Sequence, residues 1–303
     1  MPSPAQLQPE VSVIVVTYRS ASQIVECLDS VCAQEGVSVE VIVVDNASND
    51  STAEKVRKYG RGVRLLANKE NVGFGRACNQ GVAVSTGRLI YLLNPDAKPV
   101  GKDALLSLTQ VMAAHPKWGM AGTRIVNDHG QSFPSFSYPG QAKARNDFDR
   151  LPGEIAWVLG ASMVIRREVY AALNGFDPDF FLYSEETDLC LRLRKLGHEI
   201  GYVENIEVRH IGGASEQGQD PHGVWVRKMR GIHLFWRKHY APEDVERLVR
   251  RDQARARFRM HLNHLLSNFS PAGSPSWQKW RRYQAIFETS REDLNRKSGL
   301  KFQ

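Results

Sequence analysis

Four short apolar runs, each closing on polar residues and each followed by a helix-period segment, restrict the folds open to this chain more than any other feature. Val11–Val16 runs into Thr17-Tyr18-Arg19-Ser20, Val39–Val44 into Asp45-Asn46-Ala47-Ser48, and Val63–Ala67 into Asn68-Lys69-Glu70-Asn71. The fourth run, Leu89–Leu93, stops at Asn94-Pro95-Asp96, because proline has no amide hydrogen to continue a ladder. Apolar runs this continuous read as strands buried on both faces. Between them, Ser22–Gln34 sets Ile24, Cys27, Leu28 and Val31 at helical spacing, and Ser51-x-x-Glu54 has the form of a capping box. A third helix over 76–84 is expected to close at Ser85-Thr86-Gly87, where glycine suits a C-terminal cap. The alternation predicts an α/β fold with a mainly parallel central sheet and helices on both faces. Ligands of such sheets collect beyond the C-terminal ends of the strands, where Asp45 and Asp96 fall.

Farther along, the pattern predicts a helix over 102–115, a strand over 120–126, and a polar stretch from Asn127 to Glu154 suited to a lid or binding loop. Trp157–Ile165 returns to the core around Gly160-Ala161-Ser162, and Arg166–Leu173 reads as a short helix. A helix over Thr187–Leu196 and a short strand pair near Tyr202 and Val208, ending at His210, complete this part. Neither a Gly-x-x-x-x-Gly-Lys phosphate loop nor a glycine-rich dinucleotide fingerprint follows the first strand, so a nucleotide would be held in another way.

Charge divides the chain. Residues 221–303 carry 18 Lys/Arg against 7 Asp/Glu, whereas residues 1–220 carry 22 against 26, for a net charge of +7. Phe258, Leu262, Leu265 and Phe269 fall on one side of a basic helix, and Trp277, Trp280 and Phe287 lie beside Arg281 and Arg282. Such a tail suits an anionic membrane surface; the alternatives are a helical cap on the sheet or a homodimer contact. Nucleic acid is not expected as a partner, because no recognised nucleic-acid module accompanies the charge. No apolar run reaches about 18 residues, and the first residues lack the pattern of a signal peptide. Cys27, Cys32, Cys78 and Cys190 lack metal-site spacing and are expected to be buried, reduced thiols in a cytoplasmic protein.

Six motifs occur in one order: Val13-Ile14-Val15-Val16-Thr17-Tyr18, Val43-Val44-Asp45-Asn46-Ala47-Ser48, Glu70-Asn71-Val72-Gly73-Phe74, Leu93-Asn94-Pro95-Asp96-Ala97, Phe180 to Leu189, and Arg209 to Ser215. As a set, covering about residues 11–240, they resemble the inverting family-2 glycosyltransferases of the GT-A fold, in the rhamnosyltransferase-like branch. The resemblance implies transfer of a sugar from a nucleotide diphosphate donor to an acceptor hydroxyl. It also implies a GT-A domain, set here at 11–220, between a leader over 1–10 that reads as disordered and the basic helical region 221–303. Within that domain, 11–100 would be the nucleotide-binding half and 101–220 the acceptor half.

On that resemblance Thr17, Tyr18 and Asp45 contact the nucleotide, and Asn71 and Asn79 face the donor. Asp45 would also suit a helix or turn cap, and the two asparagines equally suit caps. Asp96 takes the place of the second Asp of an Asp-x-Asp motif, with Asn94 in place of the first, and with His210 it would hold Mg²⁺ or Mn²⁺. Glu185-Glu186 matches the family's Glu-Asp pair with glutamate in place of aspartate, which puts Glu186 in the general-base position; with the longer side chain, either the loop is set back or Glu185 shares the role. Phe180, Phe181 and Tyr183 would form an acceptor wall. Members of this branch commonly use dTDP-L-rhamnose and build bacterial surface polysaccharide, and the resemblance implies a saccharide acceptor, often on a polyprenyl diphosphate carrier at the inner face of the plasma membrane. A UDP-hexose or UDP-N-acetylhexosamine donor is the alternative within the class. A non-catalytic sugar-nucleotide-binding scaffold is the alternative outside it.

Overall fold

The computed structural model describes residues 8–133, 135–137, 151–210, 219–267 and 272–297. The described residues fall into two compact units. Those before Ser215, other than Leu182–Ser184, form the first; Leu182–Ser184 and those from 219 onward form the second.

In the first unit, β1 (Val11–Thr17), α1 (Ile24–Cys32), β2 (Val39–Asp45), α2 (Thr52–Tyr59), β3 (Arg64–Ala67), α3 (Phe74–Ala83) and β4 (Leu89–Leu93) follow the anticipated alternation. Then come β5 (Ala97–Pro99), α4 (Ala104–Ala114), β6 (Trp118–Val126), β7 (Ser132–Phe133), β8 (Phe136–Ser137), β9 (Trp157–Val158) and β10 (Ser162–Arg166). The unit closes with α5 (Arg167–Ala172), α6 (Glu185–Lys195) and β11 (Glu199–His210). The sheet runs β3-β2-β1-β4-β10-β6-β11-β5, with β7 on β6. The pairs β2–β3, β1–β2, β1–β4 and β6–β11 are parallel, while β10 runs antiparallel to both neighbours.

Side-chain alternation explains the helices on both faces. Val11, Val13 and Val15 of β1 join Ile24, Leu28, Leu105 and Leu108 in one apolar cluster, so α1 and α4 cover that face. Ile14 and Val16 point the other way and join Ala77, Val169 and Leu189, so α3, α5 and α6 cover the opposite face.

Several local expectations are corrected. Ser51 makes no side-chain cap; the Asp50 carboxylate instead accepts the Thr52 amide at 3.0 Å. Gly87 does not cap α3. Its amide donates to Ser12 Oγ at 2.8 Å, and a Cβ there would stand 2.6 Å from the Ser12 nitrogen, so glycine is needed for close approach to β1. The strand pair near Tyr202 and Val208 is one long strand, β11, whose register against β6 shifts between Val203 and Glu207. The loop over 127–154 contains β7 and β8, and residues 138–150 of it lie outside the described residues. Cys27, Cys78 and Cys190 are buried free thiols, but Cys32, at the last turn of α1, is exposed.

The second unit contains α7 (Pro221–His239), α8 (Pro242–Ser267) and α9 (Pro275–Lys297). Asp220 caps α7, accepting the His222 amide at 3.2 Å ahead of Pro221 in the first turn. Helices α8 and α9 run antiparallel: the His264 ring is 5.3 Å from Trp280, while Phe287 lines a groove with Gln253 to Leu262. Met229, Ala256 and Ile286 form the buried centre, and the Asp293 carboxylate bridges His233 Nδ1 at 2.6 Å and Arg237 at 2.8 Å. Burial would raise the Asp293 carboxyl, but the His233 and Arg237 contacts outweigh it and hold the group below its ordinary range. No helix among the described residues is long and apolar enough to cross a membrane.

Candidate active site

Parallel pairing brings the polar strand ends to one edge. Thr17 lies opposite Asp45 and Val15 opposite Leu93, so the residues after β1, β2 and β4 emerge side by side. Asp45, 2% exposed, accepts Thr17 Oγ1 at 2.8 Å, Ser48 Oγ at 2.6 Å and the Ser48 amide at 3.0 Å. It therefore closes the 45–48 turn and ties it to β1, and one of about four carboxylate lone-pair positions stays open. Tyr18 is partly exposed at the same edge, with the Arg19 guanidinium 5.1 Å from its ring centre.

The bend before α3 is held by asparagines. Asn71 Oδ1 accepts the Gly73 amide at 3.0 Å. Gly73 has φ +92°, and a Cβ on it would stand 2.5 Å from the Phe181 carbonyl oxygen, to which the Phe74 amide donates at 2.9 Å. Only glycine fits that backbone and that contact. Asn79, one turn into α3, donates to the Phe176 carbonyl at 2.8 Å and accepts the Phe176 amide at 2.9 Å, and the Tyr170 hydroxyl also donates to it. Its amide is thus committed to fixing the Phe176 peptide.

The turn after β4 meets the end of β11. β5 pairs with β11 so that Ala97 lies opposite His210, and His210 Nε2 stands 3.2 Å from Asp96 Oδ1 and 3.3 Å from Asn94 Nδ2. Both Asp96 and His210 are nearly buried. Two donors occupying neighbouring positions of one octahedral ion, each at about 2.1 Å, stand about 3 Å apart, so this pair fits a single divalent cation. Among the described residues no group of three or more His, Cys, Asp or Glu forms a metal site, so other ligands would have to complete the shell.

Glu185 and Glu186 form the first turn of α6, at the helix start the sequence suggests and where carboxylates favour the N-terminus; the helix begins two residues before Thr187. Tyr183 and Ser184, just before, have φ of 72° and 70°, so two consecutive left-handed residues turn the chain into the helix. Glu185 is 3% exposed, and its Oε2 has no hydrogen-bond partner. Burial, and then the charge of Glu186, push the Glu185 carboxyl well above its ordinary range; burial also raises Glu186, which is partly exposed. Burial thus disfavours the charged form of both carboxyls, which titrate as an interacting pair.

One turn links the two ends of the site, and sequence reasoning assigned it no role. The Asn94 amide donates to the Ala161 carbonyl at 3.0 Å, and a Cβ on Gly160 would meet Glu186 Cβ at 3.8 Å. Asn94 and Glu186 thus border the same turn, between β9 and β10. The signal was Gly160-Ala161-Ser162 interrupting an apolar run. Of the three expected wall aromatics, Phe180 is 1% exposed and belongs to the core, whereas Phe181 is 50% exposed. The Tyr183 ring instead lies under the Lys228 ammonium at 5.0 Å.

The sequence profile of Glycosyl transferase family 2 matches residues 12–173, more than half of the chain. Over 258 residues the chain is 29% identical to the N-acetylglucosaminyl-diphospho-decaprenol L-rhamnosyltransferase of Mycobacterium tuberculosis, a match covering 74% of this chain and 82% of the relative. It is 37% identical over 131 residues to the succinoglycan biosynthesis protein ExoO of Rhizobium meliloti, covering 43% and 37%. Among solved structures, the mannosyltransferase PcManGT from Pyrobaculum calidifontis, in complex with GDP-Man and Mn²⁺, superposes with TM-score 0.58 at 18% identity, covering 98% of this chain and 77% of that one. S. aureus TarS in complex with UDP-GlcNAc gives TM-score 0.54 at 17% identity, covering 97% and 93%. At these identities the structural likeness is one of fold.

Proposed function

The chain belongs to glycosyltransferase family 2 and has the GT-A fold, and from that premise we propose an inverting, metal-assisted rhamnosyltransferase. It would move L-rhamnose from dTDP-L-rhamnose to a saccharide carried on a polyprenyl diphosphate, in bacterial cell-surface polysaccharide synthesis. The relative named for L-rhamnosyl transfer to a decaprenol-linked sugar supports this donor and acceptor class. The observation that carries the catalytic reading is the shared turn, which has Asn94, two residues before Asp96, on one side and Glu186 on the other.

Each residue then has a role. The open lone pair of Asp45 accepts the N3 hydrogen of the pyrimidine, with Thr17 fixing the carboxylate and Tyr18 beside the base. Asn71 and Asn79 shape the bend that faces the donor, acting on the backbone. Asp96 and His210 would hold Mg²⁺ or Mn²⁺ together with donor phosphates and water, with the Asn94 side chain beside the imidazole. When bound, such an ion stabilises charge on the departing diphosphate. Glu186 takes the proton of the acceptor hydroxyl as that oxygen bonds to the anomeric carbon from the face opposite the diphosphate. The bond to the β-phosphate oxygen breaks and leaves its electron pair there. The raised Glu186 carboxyl is a stronger base for this than an ordinary carboxylate, and burial disfavours a second charge on Glu185 beside it. The basic region 221–303 would bring the enzyme to the inner face of the plasma membrane.

The test presents dTDP-L-rhamnose, UDP-glucose and UDP-N-acetylglucosamine singly, with Mg²⁺ or Mn²⁺ and a lipid-linked N-acetylglucosamine acceptor. Turnover with the dTDP donor alone, abolished by EDTA, is expected. Turnover only with a UDP-sugar would remove the rhamnose assignment, and donor binding without any turnover would leave a scaffold protein.

A further inference from the structure

The second unit does not mix its charges evenly. On α8 the acids Glu243, Asp244, Glu246 and Asp252 all lie in the first half; from Gln253 onward the helix has Arg255, Arg257 and Arg259 and no acid. On α9 the order reverses: Pro275 to Phe287 holds Lys279, Arg281 and Arg282 without an acid, and Glu288, Glu292 and Asp293 follow. Because the helices run antiparallel, the two acid-free halves lie side by side at one end of the hairpin.

That end also presents apolar surface. Phe258 is 70% exposed and Leu262 45% exposed, and their spacing of four residues puts them on one face of α8. They line an open groove of about 780 Å³ with Arg257, His261 and Phe287. Trp277 and Trp280 are half-buried nearby, with the Arg281 guanidinium 6.0 and 5.8 Å from their ring centres. Arg281 is tied to Asp220, whereas Arg255, Arg257, Arg259 and Lys279 are exposed.

We propose that this end of the α8–α9 hairpin is an interfacial anchor for an anionic bilayer. Phe258 and Leu262 enter the boundary between headgroups and acyl chains. Arg255, Arg257, Arg259 and Lys279 meet the phosphates, and Trp277 and Trp280 sit at headgroup depth. The separation of charge selects this occupant: the two facing helix halves carry no acid and the nearby Asp220 carboxylate is paired with Arg281, so an anionic lipid plane meets cations that are mostly unpaired among the described residues, and exposed Phe and Leu gain from burial that a phosphate backbone alone does not offer. The inference rests on the lipid-linked acceptor reading for its purpose, but binding needs neither donor nor acceptor.

Flotation of the full chain with vesicles tests it. Capture by phosphatidylcholine–phosphatidylglycerol vesicles is expected, falling with salt, with little capture by phosphatidylcholine alone. The pair Phe258→Ser and Leu262→Ser should weaken capture about tenfold or more, and each of Arg255→Ser, Arg257→Ser and Arg259→Ser about fivefold. Brominated lipid should quench tryptophan fluorescence in the wild type, and Trp277→Phe with Trp280→Phe should remove most of that quenching. This readout decides the matter even if the serine pair disturbs the hairpin. Equal capture of the serine pair, or equal capture by phosphatidylcholine alone, overturns the proposal. A dimer lost in the serine pair on size exclusion would assign the face to a second copy instead. Salt-sensitive binding to duplex DNA as strong as to vesicles would assign it to nucleic acid. Transfer to a water-soluble acceptor reports separately on the catalytic reading, so the two can fail independently.

Discussion

The nucleotide side and the glutamate side of the site are built on opposite terms. At the strand ends, polar side chains are bound to the protein itself: Asp45 accepts three hydrogen bonds, and Asn79 grips both polar groups of the Phe176 peptide. At the start of α6, Glu185 Oε2 is buried with no partner, and two left-handed residues precede the helix. The first arrangement stands rigid without a ligand, because each buried polar atom is already satisfied. The second holds a carboxyl whose charged form is penalised by burial, so it keeps a proton that an exposed carboxylate would release. Substitutions on the strand side should therefore weaken the fold, and those on the glutamate side should weaken turnover while leaving the fold alone or stabilising it.

The sharpest break is Glu186→Gln. Loss of a positioned base removes about 10²–10⁴ of rate, or roughly 3–5 kcal/mol of barrier. Steady-state turnover should fall by at least about a hundredfold, while donor affinity by calorimetry and the melting temperature hold. Unchanged turnover would take Glu186 out of the mechanism.

Gly73→Ala probes the other side. A side chain at φ +92° that also meets the Phe181 oxygen should cost about 3 kcal/mol of unfolding free energy in urea titration. A loss below about 1 kcal/mol would mean that the bend relaxes, and the contrast in rigidity would fail. Asn79→Ala should cost less, about 2 kcal/mol, because it leaves the Phe176 peptide groups and the Tyr170 hydroxyl in need of new partners.

The same contrast explains what could be read from the residues. β1, β2 and β4 are legible because strands buried on both faces need continuous apolar runs, and their polar ends mark the ligand edge. β11 reads as two strands because Glu204 and Asn205 sit at its bulge, exposed between apolar neighbours. β7 and β8, two residues each, carry no periodicity at all. The approach of Asp96 to His210 depends on β5 pairing with β11, a contact between distant segments that no local pattern encodes. The burial of Glu185 was equally hidden, since Glu185-Glu186 looks like any acidic helix start until the packing is known.

Glu185→Gln sets the glutamate side against pH. Burial raises the Glu185 carboxyl well above its unfolded value, so the native chain keeps a proton there that the unfolded chain has already released. The unfolded state then binds fewer protons, and stability falls as pH rises. The sign follows directly: the contribution of Glu185 is fully present below the ordinary carboxylate pKa and is lost progressively between that value and the raised one. Glutamine has no proton to lose, so the variant escapes the loss. Melting curves of the two chains should nearly coincide near about pH 4 and separate above it, the variant gaining at most about 1.4 kcal/mol per pH unit until the native carboxyl ionises. Parallel curves across that range would mean that Glu185 ionises as an exposed carboxylate does, and the distinction between a satisfied strand edge and an unsatisfied helix start would lose its main support.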